Sequence, residues 1–225
     1  MRGFYFLPLT VFFILAFFFF LVLLFFFIQI GLISYAYERM GISANLILPL
    51  LFLSLLGSAI NIPVTQVSSG PAISRQVVDF FGIRYVIPSI EYPERTVIAV
   101  NVGGAVVPTL ISLYLLFSTG LFWRSLLGVA IVAAIVHRLA RPVPGVGIAI
   151  PLFVPPLVAA ATGLLLAPDH APALAYIAGT MGCLIGADLL NLHRLPGLGA
   201  PVASIGGAGT FDGIFFTGII AVLLT

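Results

Sequence analysis

Two acids lie inside apolar stretches of the C-terminal third: Asp188 in Gly186-Ala187-Asp188-Leu189-Leu190 and Asp212 in Gly207-Ala208-Gly209-Thr210-Phe211-Asp212-Gly213. An ionised side chain at bilayer depth costs at least a few kcal/mol, so such acids face a bundle interior or a wet cavity and mark a functional site. Two carboxyls brought together share a proton, and one then acts as base while the other acts as acid. A carboxyl held on its own binds a proton or a cation instead. Asp188 and Asp212 are therefore the candidate catalytic residues. Asn101, Gly103, Gly104, Asn191, Gly207, Gly209 and Thr210 are the residues expected to line their cavity or bind substrate.

The spacing around the acids supports this choice. Asn191 follows Asp188 by three residues, which puts it on the same helix face and within reach of the carboxyl. Gly206, Gly207 and Gly209 each weaken a helix by about 1 kcal/mol relative to alanine, so an unwound or re-entrant approach to Asp212 is expected. Irregular backbone is tolerated at membrane depth where it is buried in protein or lines a water-filled cavity. The glycines also admit a packing role, because Gly182/Gly186 and Gly209/Gly213 have the small-xxx-small spacing that lets helices approach closely. At about 100° per residue Asp188 points away from the Gly182/Gly186 edge, so the acids need not share one tight seam.

The elements that must position these residues are membrane helices. Of the 225 residues 61% are hydrophobic and only 7% charged, far from the roughly one-quarter charged residues of soluble domains. All nine basic residues other than histidine are arginines, too scattered for a nucleic-acid surface. The single cysteine, Cys183, excludes an intrachain disulfide and reads as a small apolar residue. No histidine pair has metal-ligand spacing, and neither chemistry above calls for a metal or cofactor.

The chain reads as an all-α integral membrane protein, one polytopic domain over residues 1–225 with about seven transmembrane helices, some broken by Pro and Gly. The apolar run from Phe4 to Ala36 is too long for a signal peptide and reads as a retained first helix that must tilt or protrude. Later spans are expected at about 44–62, 97–118, 121–137, 146–167, 172–190 and 207–224. Asn101-Val102-Gly103-Gly104 interrupts the third with an exposed amide, and Pro142 through Pro155-Pro156 interrupts the fifth. With seven crossings Arg2, Arg75, Arg84, Arg95, Arg138, Arg141 and Arg194 share one side, and only Arg39 and Arg124 take the other. The positive-inside bias makes the first side cytoplasmic, with the N-terminus inside, the C-terminus outside and both acids toward the cytoplasm. A cytoplasmic loop over 63–95 carries Val77-Val78-Asp79-Phe80-Phe81 and Ile83-Arg84-Tyr85-Val86-Ile87-Pro88, which read as two short apolar strands around a turn at Gly82, a hairpin or an interfacial segment over the bundle.

Ile90 through Gly104, Gly147-Ile148-Ala149-Ile150-Pro151, and Gly199-Ala200-Pro201 with Gly209 through Phe215 resemble the prokaryotic membrane family labelled domain of unknown function 1614. That resemblance implies identity without a mechanism. A narrower resemblance, to intramembrane aspartyl proteases of the presenilin and signal-peptide-peptidase type, rests on Asp188 in the sixth span and Gly207-Ala208-Gly209-Thr210-Phe211-Asp212 leading into the seventh. It implies catalytic roles for Asp188 and Asp212 and a membrane-embedded peptide as substrate. The sequence departs from that pattern where no tyrosine precedes Asp188 and two extra residues separate Gly209 from Asp212. A proton- or cation-coupled carrier of a small solute and a non-enzymatic membrane scaffold are the competing classes, and the lipid bilayer is a partner in all three.

Overall fold

The computed structural model describes residues 8–68, 77–80, 83–86, 95–143, 147–195, 201–207 and 213–225. Seven α-helices run through them: α1 (Pro8–Arg39), α2 (Ala44–Gly57), α3 (Val107–Thr119), α4 (Phe122–Leu139), α5 (Val154–Leu166), α6 (Ala171–Cys183) and α7 (Gly213–Leu223). Four continuous helical stretches, 13–39, 102–119, 122–139 and 168–194, are long and apolar enough to cross a membrane. These apolar helices mark a membrane protein. The other three helices are shorter than the spans expected for them. The 14 residues of α2 give about 21 Å of helix, against a hydrocarbon core of about 30 Å.

What shortens α2 and the expected third span is β-structure. β1 (Asn61–Ser68) pairs antiparallel with β4 (Arg95–Asn101), and β4 pairs parallel with β7 (Val202–Ile205), giving one sheet in the order β1-β4-β7. Pro63 cannot continue a helix and donates no ladder hydrogen bond, so it suits the edge strand β1, where the register shifts beside it. The third span therefore begins as a strand and turns helical only after Asn101. The expected hairpin is present: β2 (Val77–Phe80) and β3 (Ile83–Val86) are antiparallel, with Asp79 opposite Arg84. Its turn residues lie outside the described residues. A further short pair, β5 (Arg141–Val143) with β6 (Gly147–Ala149), precedes α5.

The prolines divide differently from expectation. Pro155 and Pro156 open α5 rather than interrupt it, because the first helical turn has no intrahelical partner for the amide that proline lacks. Two of the continuous stretches instead change pitch at π-turns, Val102–Val106 before α3 and Leu184–Asp188 after α6, the second passing into a 3-10 stretch, Leu189–Arg194.

α6 is the centre of the bundle. Ala173, Leu174, Ala175, Tyr176, Ala178 and Cys183 are buried, so Cys183 takes the expected place in the core. Its small residues admit close neighbours: a Cβ on Gly182 would lie 2.6 Å from Val132, and one on Gly186 would lie 2.5 Å from the Ala133 carbonyl of α4. The Gly182/Gly186 pair thus packs against α4. Gly213 has open space at its Cβ position, and the close approach of α7 to α6 is made at Gly218, against Thr180 and Tyr176. α1 is the opposite case. Its most apolar window has none of its residues buried, and its phenylalanines from Phe13 to Phe27 face outward, where lipid is the solvent.

Gly186→Ala should destabilise the protein by about 1–3 kcal/mol through overpacking against Ala133. Gly31→Ala, with nothing within 4 Å, should be neutral or stabilising. Thermal unfolding of both variants in detergent micelles checks the contrast.

Candidate functional site

Three places where the chain passes between helix and strand meet at one end of the bundle. α2 leaves through Ser58 into β1, β4 leaves through Asn101 into a π-turn and α3, and β7 leaves through Gly206 and Gly207 toward α7. Asn101 joins all three. Its Nδ2 donates to the Ser58 carbonyl at 2.7 Å and to Asn61 Oδ1 at 3.0 Å, while its Oδ1 accepts the Gly104 amide at 2.7 Å. Asn61 Oδ1 also accepts the Ser204 hydroxyl at 2.6 Å, which ties in β7. Asn101 is not the exposed amide expected from the sequence. It is 1% exposed and serves as the cap of a turn that would otherwise leave a buried amide unpaired.

The glycines on either side are close-approach residues. A Cβ on Gly103 would strike the Ser54 carbonyl and the Ser58 amide, and one on Gly104 would strike the Gly206 carbonyl. Gly206 and Gly207 both have positive φ, 84° and 89°, which only glycine adopts readily. Their left-handed backbone turns the chain out of the sheet and aims the Gly206 amide at Asp188. That amide donates to Asp188 Oδ2 at 2.7 Å, a charge-assisted bond when the carboxyl is ionised.

Asp188 itself closes the π-turn Leu184–Asp188 and is half-buried. It faces the β7 side while Gly186 faces α4, so the acid and the glycine edge point apart as their spacing implies. Asn191 does not bond the Asp188 carboxyl. Its amide nitrogen takes the carbonyls of Gly186 and Ala187, each at 2.9 Å, because a π-turn leaves carbonyls that the regular ladder does not serve. Gly209, Thr210 and Asp212 lie outside the described residues, as does most of the approach to α7.

Ser58, Asn61 and Ser204, and His137 with its Nδ1 3.2 Å from the Asn191 amide nitrogen, lie among these polar contacts without having been expected there, and Gly206 was expected only as a helix-weakening glycine. For Asn61 a signal existed: alternation through Asn61-Ile62-Pro63-Val64-Thr65, with a proline, argues for a strand where a hydropathy window reads the tail of a span. His137 had none, since its partner lies 54 residues away.

Residues 55–224 match the family described as Protein of unknown function (DUF1614). The chain belongs to this family. The match takes in every junction described above and both acids, and leaves α1 outside. No curated protein and no solved structure matches the chain.

Asn101→Ala removes the partner of a buried carbonyl and a buried amide, and should lower stability by about 2–4 kcal/mol. Ser204→Ala, which deletes a single exposed bond, should cost about 1 kcal/mol or less. Chemical denaturation in micelles, followed by circular dichroism, separates the two.

Proposed function

We propose that this member of the DUF1614 family is a membrane-embedded aspartyl-type hydrolase that cleaves a peptide within the membrane, with Asp188 and Asp212 as its catalytic residues. The observation that carries the reading is the seat of Asp188: a half-buried carboxyl at the end of a largely buried apolar stretch, held by the Gly206 amide at 2.7 Å. Gly206 lies six residues before Asp212 in the sequence.

In this reading one carboxylate takes a proton from a water held between the acids, and the water oxygen attacks the peptide carbonyl carbon. The protonated partner gives its proton to the carbonyl oxygen. Collapse of the tetrahedral intermediate breaks the C–N bond, the leaving nitrogen takes up a proton, and an acid and an amine result. The Gly206 amide fixes the plane of the Asp188 carboxyl during this exchange. Asn101 and the close glycines hold the junction that delivers that amide, while Gly207, Gly209 and Thr210 form the approach to Asp212. Arginine placement supports a multi-pass protein of the cell membrane with the N-terminus inside, the C-terminus outside and the acids toward the cytoplasmic face.

A carrier is the second reading, favoured by one observation: π-turns change the pitch of two helices beside Asn101 and Asp188. Single π-turns inside helices occur frequently at functional sites.

The test is cleavage of labelled transmembrane peptides by the purified full-length protein in liposomes. Asp188→Asn and Asp212→Asn should each reduce cleavage by about 10²–10⁴-fold while the fold persists. Equal cleavage by wild type and both variants, or none by wild type across the peptide panel, overturns the hydrolase. Proton-coupled solute uptake that both variants abolish would establish the carrier in its place.

A further inference from the structure

Gln29 is out of place on α1. It stands on the stripe that continues through Ile33, Ala36, Tyr37 and Met40, the side of the helix that packs into the bundle. On that side a cleft of about 300 Å³ lies between three helices, walled by Gln29 and Ile33 of α1, Leu51 and Leu55 of α2, and Phe215 and Phe216 of α7. It opens sideways to lipid, where Leu55 and Phe216 are exposed. Among the described residues Gln29 is the one polar side chain on its wall, and its amide makes no hydrogen bond. Arg39 ends α1 ten residues later, so Gln29 lies about 15 Å along the axis from that end, half of a hydrocarbon core of about 30 Å.

An amide left unpaired at that depth is costly, and acyl chains offer it nothing. Lipid esters and headgroups sit at the interfaces, too far away to serve it. What meets Gln29 therefore carries polar groups into the middle of the bilayer. A side-chain amide has a carbonyl acceptor and an N–H donor, the set that pairs with the N–H and C=O of a polypeptide backbone. The bundle already uses its amides in this way. Asn101 takes the Ser58 carbonyl and the Gly104 amide, and Asn191 takes the Gly186 and Ala187 carbonyls, in each case where the backbone departs from a regular helix. Gln29 has the same chemistry and no backbone of its own chain to serve.

We propose that this cleft binds a membrane-embedded polypeptide at a point where its helix is locally open, with Gln29 pairing the freed backbone carbonyl and amide and the Ile, Leu and Phe walls taking apolar side chains. An intact helix spends its backbone groups on its own ladder and leaves Gln29 unpaired, so the cleft selects the opening rather than a particular side chain. Its walls belong to the elements of the candidate site. Leu55 lies three residues before Ser58 at the Asn101 junction, and Phe215 follows Asp212 by three residues in the sequence. That the bound polypeptide is the substrate rests on the hydrolase reading, whereas its capture by Gln29 does not.

The experiment reads binding first and cleavage second. The full-length protein in liposomes is titrated with two labelled transmembrane peptides of about 20 residues, one of leucine and alanine throughout and one interrupted at its centre by Gly-Pro, which frees backbone carbonyls. Binding is followed by energy transfer. Wild type should bind the interrupted peptide about tenfold more tightly, the worth of two hydrogen bonds of ordinary net strength. Gln29→Met keeps the length and apolar contact of the side chain without its amide, and should bind both peptides alike at the weaker level. Its thermal unfolding should match wild type, because Gln29 bonds nothing within the described residues. Equal affinity of wild type for the two peptides, a comparison that needs no variant, overturns the inference. A preference that survives in Gln29→Met overturns it too. Self-association of wild type that Gln29→Met abolishes, with no preference between peptides, gives the amide to a second copy of the chain and overturns it equally. Gln29-dependent binding without cleavage supports the cleft and overturns the hydrolase, whereas cleavage with no preference in binding overturns the cleft alone.

Discussion

Backbone that changes from helix to strand in apolar surroundings leaves amide and carbonyl groups that lipid cannot satisfy, and the whole polar end of this protein is built around meeting that demand. Asn101 meets it with one side chain: two donated bonds and one accepted bond join α2, β1 and the π-turn before α3. The glycines follow from the same demand. With a Cβ at Gly103 or Gly104 the junctions could not approach, and the Gly206 amide could not reach Asp188. The acid is thus held by the architecture that terminates the strands.

The membrane class, the first helix, the β2-β3 hairpin and the close packing at Gly182 and Gly186 were legible in the sequence because each depends on local composition or spacing. The sheet was not. β4 reads Thr96-Val97-Ile98-Ala99-Val100, a run that a hydropathy window cannot tell from the start of a membrane helix, and its partners are remote in sequence. Asp188 was found by its type, as an acid among apolar residues. Its partner was not, because a backbone amide at Gly206 carries no side-chain signal. Asn191 was assigned to the right turn and the wrong acceptor: the 100° periodicity that puts it beside Asp188 assumes an α-helix, and the π-turn breaks that assumption.

The burial gradient across the helices explains how an acid can sit in such a chain. In the stretch 168–194, 72% of the most apolar window is buried, against none for α1. The acid-bearing helix is therefore walled by protein on most sides and meets lipid on few. Alanine and glycine along α6 let α4, α5 and α7 come close enough to make that wall. α1, outside the region shared with the family, supplies apolar surface to the bilayer instead.

The parallel pairing of β4 with β7 has a consequence for biogenesis. β1 and β4 are joined through the β2-β3 hairpin and can pair early, whereas Val97 meets Val202 across more than a hundred residues and four intervening α-helices. Contacts of such long sequence separation form late, after the loop between them has been closed by structure of its own. The third strand can dock only after residues 202–205 have been made. Asp188 has its backbone donor only once Gly206 follows that strand, so a polypeptide truncated before it lacks the carboxylate's seat.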